Sequence, residues 1–123
     1  MVNLSRLDIV LVDLAPTKGS EIKKTRPCVI ISPDIVNKHS KTVIICAITH
    51  YDAKKSKSHF FVAISATKTT GLTKKSVINT LQTRTIDRTR IIKKLGKLPK
   101  SIERSLDYAV TLATGTDREA KKL

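Results

Sequence analysis

The sequence predicts a small, mainly β fold with some helix (α+β), an antiparallel β-barrel carrying one C-terminal amphipathic helix. Three observations carry this prediction. Short apolar runs rich in Val and Ile recur up to residue 87, the pattern of buried strands. The connections between them are small and polar, and no strand alternates with a long helix, which argues against a βαβ fold. Only after Pro99 does the apolar spacing change to a helical period.

Residues 8–14 (DIVLVDL) read as a first strand and residues 28–32 (CVIIS) as a second. Between them runs a turn-prone loop, punctuated by Pro16 and Gly19 and made basic by Lys18, Lys23, Lys24 and Arg26 around one carboxylate, Glu21. Pro27 pushes Arg26 into extended backbone, which sets Arg26 at a strand mouth. Ser32-Pro33-Asp34 stops the second strand, and a short helical turn capped by Ser32 or Asp34 is expected next. Residues 42–49 give a third strand, the Lys-rich segment 51–58 a mobile loop, and residues 59–64 a fourth strand with Phe60 or Phe61 in the core. Residues 65–76, with a turn at Gly71, read as a solvated connection, and 76–87 as one long bent strand or two paired ones. Ser101 is a plausible N-cap for a helix of about 13 residues, with Ile102, Leu106, Ala109, Val110 and Ala113 on one face and Gly115 closing it.

The length of 123 residues suits one domain, expected over 1–115, with 116–123 as a polar tail. Lys plus Arg number 24 against 10 Asp plus Glu, a net charge of +14, so a polyanionic partner is expected and nucleic acid is the commonest. A membrane is disfavoured, because no stretch approaches the ~20 apolar residues of a spanning helix. The N-terminus has no separate apolar core or cleavage site of a signal peptide, so a cytoplasmic location is expected. Cys28 and Cys46 lie in apolar runs and read as reduced core residues rather than a disulfide, with no His at zinc-ligand spacing.

No phosphate-cradling glycine loop, nucleophile elbow, zinc motif or carboxylate cluster is present. Two-metal hydrolysis needs several acidic ligands, so a cutting enzyme of this composition is expected to use RNA, which carries its own nucleophile in the 2′-hydroxyl. Such a site needs charge stabilisation on the phosphorane and proton transfer to and from the oxygens. Arg26 offers a planar, permanent charge, Glu21 a proton acceptor, and Thr49 a hydroxyl for a phosphate oxygen or the 2′-OH. Equally, an Arg before Pro is often a surface residue, a lone Glu among lysines is usually solvated, and Thr is common in strands. Of His39, His50 and His59, only His50 adjoins a candidate, and it could serve as leaving-group acid or phosphate contact. Tyr51 is the one aromatic expected in a binding loop, so basic groups, including Lys54, Lys55 and Lys57, should do most of the gripping.

Taken in order, DIVLVDLAPTKGSEIKKTRPCVIIS, AIT at 47–49, GL at 71–72 with SVI at 76–78, and QTRTID at 82–87 resemble the MazF/PemK toxins of bacterial type II toxin–antitoxin systems. The resemblance spans roughly residues 6–114, and PTKGSE, the TRP triplet and QTRTID are its most specific parts. It implies an SH3-like barrel, a homodimer, a cognate acidic antitoxin, no cofactor, and metal-independent, sequence-specific cleavage of single-stranded mRNA that leaves a 2′,3′-cyclic phosphate and a 5′-hydroxyl. It puts the catalytic roles on Arg26, Thr49 and Glu21, and adds Gln82 and Arg84 to the RNA-binding set with Lys18, Lys23, Lys24, His50, Tyr51 and the 54–57 lysines. Asp87 or Thr85 is expected to fix the fold locally. Departures fall at Leu7 and Lys24, where members usually have Gly, and at Leu11, where an aromatic is common. Two other classes stay open: a non-catalytic toxin of similar fold acting on a protein such as gyrase, and a plain RNA-binding module.

Overall fold

The structure is a computed structural model, and it describes residues 3–16, 18–21 and 24–117. Six strands form one antiparallel sheet: β1 (Asp8–Asp13), β2 (Thr25–Ile30), β3 (Thr42–His50), β4 (Phe61–Ile64), β5 (Ser76–Asp87) and β6 (Ile91–Lys97). Their order is β4-β5-β3-β2-β1-β6, so the expected barrel takes the form, in its hydrogen bonding, of an open sheet with β4 and β6 at its ends. Among the described residues two α-helices accompany it, α1 (Asp34–His39) and α2 (Glu103–Ala113).

Alternating side chains divide the core between the two faces. Leu7, Ile9, Val29, Cys46, Ile48 and Ile78 pack on the face that receives Leu106 and Ala109 of α2. Val10, Val12, Cys28, Ile30, Ile45 and Ala47 pack on the other. Val29 pairs with Cys46 and Cys28 with Ala47, so the two free cysteines lie on neighbouring strands but opposite faces. That geometry keeps them from bridging, as the expectation of reduced core cysteines requires.

β5 is a single strand, bent where the register jumps from Cys46↔Thr83 to Ala47↔Asn79 and residues 80–82 bulge. Asp87 accepts from Thr89 N and Oγ1 at the strand's end, a local fixing role as expected.

Several expectations are corrected. Residues 91–97 form β6, a strand that the sequence pattern did not disclose. The core is aliphatic, and both Phe60 and Phe61 are only half-buried. Neither helix has a side-chain cap: Ser32 turns instead to Asn37, donating to Oδ1 at 2.5 Å, and a 3-10 turn over Lys100–Ile102 precedes α2. Segment 51–58, expected to lack regular structure, contains an Asp52 turn and a 3-10 turn at Lys55–Lys57.

The 65–76 connection is not simply solvated, since Thr70 and Leu72 are buried in it. Thr70 Oγ1 ties the turn to Ser65 O, and Lys97 N donates to Thr69 O at 2.7 Å, so the connection lies directly on β6. Gly71 and Gly96 permit that approach: a Cβ on Gly71 would meet Leu95 O at 2.0 Å, and one on Gly96 would meet Thr69 O at 2.3 Å.

Candidate active site

β2 starts three residues before Cys28, which puts Arg26 inside the strand and half-buried. The antiparallel register Cys28↔Ala47, continued by two residues, sets Arg26 across from Thr49. Both line a cavity of about 420 Å³, together with Pro27 and His50. Its apolar lining comes from Leu11, Ile48, Leu72 and Leu95, and its remaining charges from Lys74 and Lys93. Among the described residues no carboxylate lines it, and the fixed charges they bring there are positive.

Thr49 is the chemical anomaly of this site. Its Oγ1 is a buried side-chain oxygen with no hydrogen-bond partner among the described residues. Buried hydroxyls are normally paired, because an unmade hydrogen bond costs about 1–3 kcal/mol, and exceptions mark strain or function.

The family model of the PemK-like, MazF-like toxins of type II toxin–antitoxin systems matches residues 5–113. The chain belongs to this toxin family. An endoribonuclease MazF of Staphylococcus epidermidis is 41% identical over 112 residues, covering 91% of this chain and 92% of the relative. Among solved structures, a MazF from Deinococcus radiodurans superposes with a TM-score of 0.78 at 19% identity, over 94% of this chain and 99% of that one. An endoribonuclease bound to its cognate antitoxin, from a mycobacterial species, gives 0.75 at 18% identity, over 93% and 97%. At such identities the structural matches speak to the fold.

The other residues that the MazF/PemK resemblance singles out fall into three groups. Glu21 is exposed and lies outside the cavity lining. Its Oε1 accepts from Lys18 N at 2.6 Å and its own N–H donates to Lys18 O, so it organises its loop. Lys18 and Lys24 are exposed on this loop, and Lys23 lies outside the described residues. Arg84 is half-buried and donates to Leu14 O at 3.1 Å, fastening the start of the loop, with Arg90 donating to Asp13 O at 3.2 Å. Arg84 and Arg26 both act on Cys28, drawing down a thiol that burial and the neighbouring Cys46 push up to about 12, so the two guanidinium groups share one region. Gln82 stands in the β5 bulge.

Tyr51 forms a separate station. Lys75 Nζ sits 4.1 Å from the centre of its ring, and Ser56 Oγ donates to its hydroxyl at 3.4 Å. Lys54, Lys55 and Lys57 are exposed beside it.

The departures from the family pattern have a backbone meaning. Leu7 and Lys24 are the non-glycine residues with positive φ among the described residues, at 75° and 68°. Both stand where the family favours glycine, the residue that adopts this conformation without steric cost. Leu11 lines the cavity, so an aliphatic surface replaces an aromatic one there. Sequence reasoning missed Lys74 and Lys93, and the signal for Lys93 was hidden with β6 itself.

Proposed function

We propose that this protein is the toxin of a type II toxin–antitoxin system and a metal-independent, sequence-specific endoribonuclease acting on single-stranded mRNA. The observation that carries the proposal is the cationic cavity lined by both Arg26 and Thr49, the latter with a buried hydroxyl that has no partner among the described residues. Further support comes from the family membership and from relatives named as endoribonucleases.

In the proposed reaction the ribose 2′-oxygen attacks the adjacent phosphorus as its proton leaves to a base. The P–O5′ bond breaks, and a proton delivered to O5′ completes the 5′-hydroxyl, leaving a 2′,3′-cyclic phosphate. Arg26 offsets the charge that develops on the phosphorane. Thr49 donates to a phosphoryl oxygen after rotating about χ1, which releases its hydroxyl from the unpaired buried position. His50 lines the cavity and is the candidate proton donor to O5′. Glu21 acts as base only if its loop moves, because it lies outside the cavity lining and its Oε1 accepts from Lys18 N–H. Among the described residues no three His, Cys, Asp or Glu side chains group as a metal site.

The same proposal covers architecture and partners. Residues 1–115 act as one domain, with 116–123 as its tail. The contact of the 65–76 connection with β6 joins the two ends of the sheet and supports an SH3-like barrel. The protein acts as a cytoplasmic homodimer, and no described helix is long and apolar enough to cross a membrane. A flexible acidic antitoxin segment covers the RNA groove by competing for Lys18, Lys23, Lys24 and the 54–57 lysines.

A cut-site map on a long RNA tests the activity. Wild type should cut at a short recurrent sequence, and Arg26→Ala, still folded, should lose about 10²–10³ in rate. Salt-sensitive binding without products would favour a plain RNA-binding module instead.

A further inference from the structure

The pairing of β3 with β5 runs one residue past both strands. His50 is paired with Ser76, and Tyr51 continues the register with Lys75, its N–H donating to Lys75 O at 3.2 Å. Cross-strand partners share a sheet face, and here the side chains meet: Lys75 Nζ lies over the Tyr51 ring, 4.1 Å from its centre. Residues two apart on a strand also share a face, so Tyr51 stands on the face of Thr49 and Ala47, ~7 Å along the chain from Thr49. The pair Cys28↔Ala47, continued to Arg26 and Thr49, puts Arg26 on that face as well. The pull of the Arg26 charge on the Cys28 thiol agrees, since Cys28 packs on the same face as Ala47. Arg26 and Thr49 thus stand side by side, and Tyr51 is one same-face step beyond Thr49.

The ring is held but not covered. Lys75 takes one of its faces, Ser56 Oγ donates to its hydroxyl at 3.4 Å, and Tyr51 is still 38% exposed. Among the described residues no carboxylate pairs with Lys75. The neighbours of this pair in the chain, Thr49 and His50 on one strand and Lys74 and Ser76 on the other, line the cavity. Single-stranded nucleic acid offers splayed bases, each with a π-face, and an aromatic ring beside a phosphate site is where such a base stacks.

We propose that Tyr51 is a substrate-positioning residue: its ring, braced by Lys75, stacks on one base of the RNA next to the phosphate that Arg26 and Thr49 engage. This rests on the endoribonuclease function proposed above. Stacking made alike in the ground and transition states lowers KM and leaves kcat alone. It accepts any base, so it fixes where the strand lies without choosing the sequence.

The test uses single-stranded oligonucleotides of the wild-type cut sequence, with deoxyribose at the cut position so that they bind and are not cleaved. Each base is removed in turn to leave an abasic site. With wild type, one abasic position beside the cut should weaken binding at least about fivefold. Tyr51→Ala should weaken binding of the complete oligonucleotide by a similar factor and show no further loss at that position. Tyr51→Phe keeps the ring and should bind as wild type does, and so should Tyr108→Ala, which removes an exposed tyrosine of α2. On cleavable RNA, Tyr51→Ala should raise KM by the same factor, hold kcat within about twofold and cut at the same sites. Losses that add at every abasic position, or a fall in kcat at constant KM, would overturn the proposal. The chain has no Trp, so Tyr51→Trp supplies a single reporter at this position, and its fluorescence should be quenched when a mixed-sequence single-stranded DNA binds. An unquenched Trp at saturating DNA would also overturn the proposal. If wild type cut no RNA while this quenching was seen and Tyr51→Ala bound the DNA at least about fivefold more weakly, the stacking contact would stand and the endoribonuclease reading would fail.

Discussion

At the scale of single residues, the Thr49 hydroxyl couples stability to activity. It is buried and unpaired, so replacing it by an isosteric methyl removes a desolvated polar atom and leaves the packing volume in place. Thr49→Val should raise the unfolding free energy by about 1 kcal/mol while slowing cleavage about 10²–10³-fold. Urea midpoints and single-turnover rates measure the two effects, and a destabilised variant with normal activity would remove Thr49 from the mechanism. Lys24 carries a different cost, since its φ of 68° places a side chain where glycine is at ease. Lys24→Gly should stabilise the fold by up to about 1 kcal/mol, whereas Leu7→Gly should destabilise it, because Leu7 is also buried in the core. The cysteines set an alkaline limit. Burial raises Cys28 from 9.0 to about 12 and Cys46 from 9.0 to about 11. Below pH 9 both are protonated in either state, and above it the unfolded chain ionises first, so stability should fall as pH rises from about 9 towards 12. Chemical denaturation at pH 8 and pH 10, with Cys28→Ser as comparison, reads this slope.

At the scale of elements, the meeting of β6 with the 65–76 connection depends on two glycines. Gly71→Ala and Gly96→Ala would force a Cβ to 2.0 and 2.3 Å from backbone oxygens, which must move apart. Each should cost more than about 2 kcal/mol. Gly19→Ala has φ +56° but nothing within 4 Å, so it should cost only about 1 kcal/mol. Circular dichroism melts of the three variants separate these outcomes. The same elements show how far the sequence could be read. β1 to β5 were legible because each is a local apolar run, and the loop before Arg26-Pro27 because turn chemistry and charge mark it. β6 was not, because IIKKLGK mixes adjacent lysines and a glycine into a strand whose partner β1 lies at the other end of the chain. Arg26 and Thr49 were legible through motif resemblance, while their shared cavity needed the β2–β3 register, and Lys93 needed the β1–β6 register.

At the scale of the whole molecule, three acidic residues are held in ion pairs. Asp8 takes Lys94 and Lys97, and Arg6 joins Glu103 at 2.9 Å and Asp107 at 2.5 Å, fastening α2 to the N-terminal segment. The chain as a whole carries a net charge of +14, and its cavity is lined by Arg26, Lys74 and Lys93, a distribution that attracts a polyanion. That distribution suits RNA and an acidic antitoxin segment alike, and makes their competition a matter of the same lysines. The central claim is that this cavity cleaves RNA through the 2′-oxygen without a metal. Mass spectrometry of the fragment ends formed from a single-stranded RNA in excess EDTA tests it most directly. The expected products are 2′,3′-cyclic phosphate and 5′-hydroxyl ends at full wild-type rate, whereas 5′-phosphate ends, or cleavage only after Mg²⁺ is restored, would contradict the account.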